Sequence, residues 1–359
     1  VRFKRTQTVP LFPGYGQGDR TDTSAHRKTA RTTQLCVTLL LTAAAATTGC
    51  RATSLLVTPV SQRRQLVEQE LARDGWVARD KIALIDVTGT IANKRGFELL
   101  GQGDNPVSLL FEQLEAARRD KRVKGVLLRI NSPGGTVAAS ELMHDEIMHF
   151  RKSGKPVVAV MMDMATSGGY YIACACDEIV AQPSTITGSI GVIMQTVDLS
   201  GTMELVGVRT DAIASGAMKD AGSPLRPMNP EERALFQHVI GEMHDRFVGV
   251  VVRGRPALDE AGVRRLADGR IYTATQALEQ GLIDRIATLR ETVGNLKQRV
   301  GSERIRLIAY ARPPGYRPNY YAAPSLGGEI NIGLVNMDQP LSPEWRIPRF
   351  LYLWAPGLN

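Results

Sequence analysis

The sequence predicts an α/β fold built on a mainly parallel sheet, with one main domain flanked by an N-terminal leader and a C-terminal arm. Three observations predict it. Short apolar runs alternate with amphipathic segments of about a dozen residues from Lys81 onward, the pattern of βαβ units. Small, glycine-rich loops follow several of the apolar runs, as expected at the carboxyl ends of parallel strands. Composition is that of a globular protein, with 43% apolar and 22% charged residues in 359, which excludes wholesale disorder. No apolar run reaches the ~20 residues that span a bilayer as a helix, which excludes a polytopic membrane protein.

The elements follow in order. KIALIDV (81–87) reads as a buried strand, and SLLFEQLEAARRD (108–120) as a helix with Leu109, Leu110 and Leu114 on one face. VKGVLLRI (123–130) is a second strand. ASELMHDEIMHF (139–150) places Met143, Ile147 and Phe150 at helical spacing. PVVAVMM (156–162) is a third strand, GGYYIACA (168–175) a short helix and EIVA (178–181) a further strand. Asn229, Pro230, Glu231 and Glu232 open a long helix running to about residue 252. Its apolar stripe (Leu235, Phe236, Val239, Ile240, Met243, Phe247, Val251) is wide enough for an interface as well as a core. Residues 50–80 read as a tether plus a short helix, from the spacing of Leu66, Val67 and Leu71, with Trp76 docking it to the body. Residues 313–359 read as an extended arm ending in FLYLW (350–354), which docks on an apolar surface.

The net charge is +8, but residues 1–49 hold seven Lys/Arg and two Asp, leaving +3 for the rest. No basic helix interleaved with aromatics is present, so no nucleic-acid partner is expected. Arg27, Lys28 and Arg31 precede the apolar run Leu35–Ala46, then TTGC. A basic flank, a short apolar core and small residues before a cut describe a secretory signal. Cys50 directly after Gly49 points to a lipoprotein signal, with Cys50 lipidated and the domain held at a membrane. Thr47 stands where such signals commonly carry Leu. Residues 1–26 are long for a signal, consistent with a start assigned too far upstream. Cys174 and Cys176 have no zinc-type partners in the sequence and read as small packing residues. No cofactor or metal is expected.

Three loops carry groups able to do chemistry. NSPGG (131–135) follows a strand and can bring backbone amides close to a ligand, or form a plain tight turn. TSGGYY (166–171) places Ser167 at a strand-to-helix elbow ahead of free amides, a place for a nucleophile or for a helix cap. SGAMKDAGSPLR (215–226) sets Lys219 among small residues, where a solvated surface lysine is the ordinary alternative. The histidines are His26, His144, His149, His238 and His244, and none lies between 150 and 237. A Ser-His-Asp triad is therefore poorly supported. A desolvated lysine can replace the histidine, because burial disfavours the ammonium and leaves an amine able to take the serine proton.

NSPGG, TSGGYYIA, TGSIGV (187–192) and SGAMKDAGSPLR, in that order, resemble the bacterial signal peptide peptidase A family. YTATQALEQGLID (272–284) resembles the segment closing that family's core, with Ala274 where Gly is frequent. The resemblance covers about residues 80–300 and implies a ClpP/crotonase-type fold within residues 81–312. It implies Ser167 as nucleophile, Lys219 as general base, Ser189 as the residue orienting the lysine, and Gly134 and Gly168 as oxyanion-hole amides. One Ser/Lys set per chain resembles the family's short form, whose subunits assemble into ring-like homo-oligomers in which the lysine can come from a neighbour. The implied activity is a membrane-tethered Ser-Lys endopeptidase. It would face away from the cytosol in a bacterial envelope and act on cleaved signal peptides or misfolded segments. An apolar groove would hold the peptide by strand addition; Met161, Met162 and Met164, just before Ser167, either line such a pocket or, the commoner case, belong to the core. Two other readings remain at this level: a crotonase-like acyl-CoA enzyme using the same oxyanion hole, and a non-catalytic envelope scaffold.

Overall fold

The structure is a computed structural model and describes residues 66–94, 97–98, 101–102, 104–312 and 350–353. The lipoprotein-type signal (1–49), Cys50 and the arm's residues 313–349 and 354–359 lie outside the described residues.

In chain order the elements are β1 (Val67–Arg73), β2 (Asp80–Thr88), β3 (Phe97–Glu98), β4 (Gly101–Gln102), α1 (Pro106–Arg119), β5 (Val123–Ser132), β6 (Gly134–Thr136) and α2 (Val137–Arg151). Then come β7 (Val157–Thr166), α3 (Gly168–Ala173), β8 (Glu178–Ala181), β9 (Ile186–Gly188), β10 (Ile193–Met194), α4 (Ser200–Leu205) and α5 (Pro230–Gly254). The last are α6 (Glu260–Leu266), β11 (Ile271–Thr273), α7 (Ala274–Glu279), β12 (Arg285–Ile286), α8 (Leu289–Arg299), β13 (Ile305–Ala311) and β14 (Phe350–Leu353).

The main sheet runs β1-β13-β2-β5-β7-β8-β12, and β9 and β11 continue it from the far end of β7. All pairs from β13 to β12 are parallel, as is β7–β9, while β1–β13 and β9–β11 are antiparallel. The central strands read as continuous apolar runs because both sheet faces are covered. Ile85, Leu128 and Ala159 face α1, α2 and α3, and Leu84, Leu127 and Val158 face α8.

Helix ends follow the sequence signals. Asn229 Oδ1 accepts from the Glu232 amide at 2.8 Å, with Pro230 opening α5. Only the C-terminal half of the α5 stripe is in the core: Phe247 and Val251 are buried, whereas Leu235 is 42% exposed.

The segment expected as a short helix after the tether is a strand. β1 pairs with the open edge of β13, and its acidic residues are held by cations from neighbouring strands: Lys81 Nζ to Glu68 at 2.7 Å and Arg306 to Glu70 at 2.6 Å. A free sheet edge next to this segment outweighs the weak helical spacing of Leu66, Val67 and Leu71. The sheet therefore begins one strand before residue 81. Trp76, expected to dock, is 86% exposed, in the turn between β1 and β2.

Candidate active site

β5 and β7 are buried neighbours, and both run into glycine-rich loops at their carboxyl ends. The loop after β5 passes through Gly134 at φ +103° and forms β6. The loop after β7 turns at Ser167 directly into α3. The two backbones meet closely, and the glycines are there because nothing larger fits. A Cβ on Gly168 would stand 2.5 Å from Ser140 Oγ and 3.2 Å from both Gly134 Cα and Gly135 N. A Cβ on Gly135 would overlap the backbone of Ile91.

Ser167 and Ser189 are the positive-φ residues other than glycine among the described residues, at 53° and 51°. A side chain in that region costs about 1–3 kcal/mol and persists only where the surroundings impose it. Here the imposing contacts are Ser167 N–H donating to Gly188 O and Ser189 N–H donating to Arg270 O, each at 2.7 Å. Because Thr166 pairs with Gly188 on adjacent parallel strands, Ser167 and Ser189 leave their strands side by side. Ser167 is 1% exposed, and its Oγ has no hydrogen-bond partner. It makes no side-chain cap to α3, so the helix-cap reading of this serine does not hold.

The Gly134 amide was expected to face an oxyanion, but it donates to Ser132 Oγ at 3.1 Å, which in turn donates to Gly89 O at 2.7 Å. Gly134 O accepts from Ile91 N, and Ile91 O accepts from Thr136 N. Along an extended strand these groups point to one side, so the intervening Gly135 N–H points to the other, toward β14, where Tyr352 is its ladder partner. The sequence carries both glycines, but this alternation depends on Ile91, more than forty residues earlier.

Lys219 sits in an irregular stretch between α4 and α5, its amide bonded to Gly216 O at 3.0 Å, and its side chain is exposed. It does not reach Ser167 Oγ within the chain. The same stretch exposes Leu205, Val206 and Ile213, at 88%, 69% and 102%. Beyond it, Arg226 bridges Asp220 and the buried Glu232, tying the stretch to the start of α5. The Arg226 guanidinium holds both carboxyls below the usual range. Of the methionines read as core residues or as the lining of a groove, Met161 is in the core and Met162 and Met164 are half-buried. Cys174 and Cys176 are buried free thiols, pushed up by burial.

A buried, unpartnered hydroxyl on a strained elbow beside two converging backbone amides is an arrangement suited to covalent acyl transfer. Comparison with known proteins agrees with that class. The profile of peptidase family S49 matches residues 149–303, and that of Clp protease matches residues 78–204. A protein named signal peptide peptidase SppA in Enterococcus faecium is 38% identical over 232 residues, 65% of this chain and 67% of the relative. Protease 4 of Haemophilus influenzae is 35% identical over 221 residues, 62% of this chain and 35% of that longer protein. The chloroplastic serine protease SPPA of Arabidopsis thaliana is 34% identical over 272 residues, 73% of this chain and 38% of the relative. The chain belongs to peptidase family S49 and is a serine-type peptidase with a Clp-protease-like fold.

Proposed function

We propose that the protein is an endopeptidase with a Ser-Lys dyad completed between subunits. Ser167 Oγ attacks the peptide carbonyl, and the Gly168 and Gly135 amides hold the resulting oxyanion, with Gly134 shaping the turn that presents them. Lys219 takes the serine proton and returns it to the leaving amine, and water then hydrolyses the acyl-enzyme. Ser189, beside Ser167, orients the amine. The observation that carries this reading is Ser167: buried, strained and without a partner for its hydroxyl.

Lys219 is exposed in the single chain, and a base must be desolvated to be a neutral amine. A second copy packed on the apolar side chains of Leu205, Val206 and Ile213 would cover that stretch and carry Lys219 to the neighbouring Ser167. One Ser/Lys set per chain fits a closed ring. Cys50 at the end of the signal-like segment would anchor the ring by lipid, facing away from the cytosol, and the substrates would be cleaved signal peptides and other membrane-derived or misfolded segments. Among the described residues no helix is long and apolar enough to cross a membrane.

Mixing tests the shared dyad. Ser167→Ala and Lys219→Ala should each be inactive. Dissociated and reassembled together, they regain about a quarter of wild-type sites, because each active site takes one residue from each of two randomly mixed neighbours. Two dead variants that stay dead after verified co-assembly would contradict the shared dyad.

A further inference from the structure

The end of the sheet opposite Ser167 carries a second surface. β13, β2, β5 and β7 are parallel neighbours, so the segments that lead into them lie along one rim. Those segments are the β1–β2 turn (74–79) and residues 120–122, 152–156 and 300–304. Ser167 stands at the other end of β7, a strand of ten residues, roughly 30 Å away at ~3.3 Å per residue. In the turn, Trp76 is 86% exposed and Val77 45% exposed. The stem of the turn is fixed: Asp74 Oδ2 accepts from Lys297 Nζ at 2.7 Å and from the Ile305 amide at 3.3 Å, and Ala78 is buried. The indole therefore projects from an anchored turn rather than from a frayed end.

A single exposed apolar side chain is ordinary on a protein surface. The surroundings of Trp76 are not. Arg79, Lys121, Arg122, Lys152 and Arg304 are exposed along the same rim, and none is in an ion pair among the described residues. The carboxylates there are mostly taken: Asp74 by Lys297, Asp80 by Lys124 at 3.7 Å and Asp120 by Lys81 at 2.8 Å, which leaves Glu303. Lys121 and Lys152 stand at helix ends, where a cation favours the dipole in any case. Arg79, Arg122 and Arg304 cap no helix. Beside the turn opens a groove of about 340 Å3, with Arg73 and Lys297 among its cations and Val293, Ile305 and Leu307 in its apolar lining.

We propose that this rim is a docking surface for an anionic phospholipid bilayer, with Trp76 at headgroup depth and the surrounding cations on phosphates. Indole rings are favoured at that depth, where one side is apolar and the other wet. Each Lys or Arg near an anionic bilayer strengthens attachment about fivefold. Nucleic acid fits less well, because the rim segments hold no second aromatic and one indole makes no stacking row for successive bases. A second copy docked by twofold symmetry would bring the same cations face to face. With the rim on the bilayer, Ser167 lies at the far end of the sheet. On the peptidase reading, its substrates are then segments that have already left the lipid; the surface itself does not depend on that reading.

The test uses the full chain with Trp345→Phe and Trp354→Phe, which leaves Trp76 as the one fluorescent indole. Its emission is followed on vesicles of phosphatidylcholine alone and of phosphatidylcholine with an equal part of phosphatidylglycerol, the latter also with brominated acyl chains. The account expects a blue shift and bromine quenching on the anionic vesicles and little response on the neutral ones. The response should be lost at ~1 M salt, where charges are screened within about 3 Å. Adding Arg122→Gln and Arg304→Gln should raise the half-saturating lipid concentration about twentyfold, with thermal midpoint and hydrolysis of a soluble peptide unchanged. Trp76 emission that stays that of a water-exposed indole on anionic vesicles would overturn the proposal, even if the chain binds them through its N-terminal segment. A lipid-free blue shift that grows with protein concentration would also overturn it, by placing Trp76 between copies. So would a response to an RNA oligonucleotide without one to vesicles. A full Trp76 response in a protein that hydrolyses no peptide would support the surface and sink the peptidase reading alone.

Discussion

Gly168→Ala tests the site through a single methyl group. The added Cβ would stand 2.5 Å from Ser140 Oγ and 3.2 Å from Gly134 Cα and Gly135 N. Ordinary contact begins near 3.4 Å, so the elbow and the facing loop must separate, by roughly an ångström at Ser140 if its rotamer is kept. Ser140 is fully buried on α2, and its Oγ donates to Thr136 O at 3.0 Å, so it cannot swing away freely. Overpacking of this kind costs about 1–3 kcal/mol of stability. On the proposed mechanism the functional cost is larger, because the two amides assigned to the oxyanion move apart. Loss of one such donor lowers turnover by about 10²–10³, and a misplacement of about 1 Å can cost 10²-fold alone. The variant should therefore fold with a modestly lowered Tm and hydrolyse peptide at least a hundredfold more slowly. It should also react with a fluorophosphonate more slowly by a similar factor. Adding Ser140→Ala removes the closest contact but leaves those at 3.2 Å, so the double variant should recover part of the loss, a positive coupling between the two sites. A Gly168→Ala enzyme within threefold of wild type, with an unchanged thermal midpoint, would refute the assignment of these two loops as an oxyanion clamp.

Other predictions are shorter. Lys219→Arg should be as inactive as Lys219→Ala, because guanidinium does not give up its proton; native mass spectrometry should show both assembled like wild type. Leu205→Asp with Val206→Asp, both on the exposed stretch, should reduce the assembly to smaller species and abolish hydrolysis, as light scattering and peptide assays would record. Asp284 joins Arg255 at the end of α5 to the Ile179 amide on β8. Burial works to raise its carboxyl, but the Arg255 guanidinium and that amide outweigh it and hold the group below the usual range. A carboxyl lowered in the folded state adds stability above its unfolded pKa of ~3.9, lost as pH falls through the folded value. Thermal scans should accordingly show wild type losing more of its midpoint between neutral pH and pH ~3 than Asp284→Asn loses; parallel curves would contradict this.

Much of the fold was legible because both faces of the sheet are covered. EIVA at 178–181 matches β8, and the run 123–130 lies within β5, since a fully buried parallel strand leaves a continuous apolar stretch. The α5 start was legible from Asn229 and Pro230 for local reasons of capping. What was not legible depends on partners distant in sequence. β1 is a strand because β13, more than two hundred residues later, presents an open edge. The wide stripe of α5 hid two roles: its C-terminal half is core, and Phe247 within it packs against Tyr352 of β14. The motifs TSGGYY and NSPGG lie in the two glycine-rich loops that meet beside Ser167, and the arm's FLYL was expected to dock on an apolar surface. Which glycine amide points toward β14 followed from Ile91 and Ser132, and that the arm docks on β6 followed from strand pairing. Neither leaves a periodic signal.

The central claim is that Ser167 is the nucleophile, and covalent labelling tests it most directly. The full-length protein is treated with a fluorophosphonate at neutral and mildly alkaline pH, digested, and the adduct located by mass spectrometry. The account predicts one adduct per chain, on Ser167, absent from Ser167→Ala and slowed strongly in Lys219→Ala. An adduct on any other serine, or undiminished labelling and hydrolysis in Ser167→Ala, would contradict it.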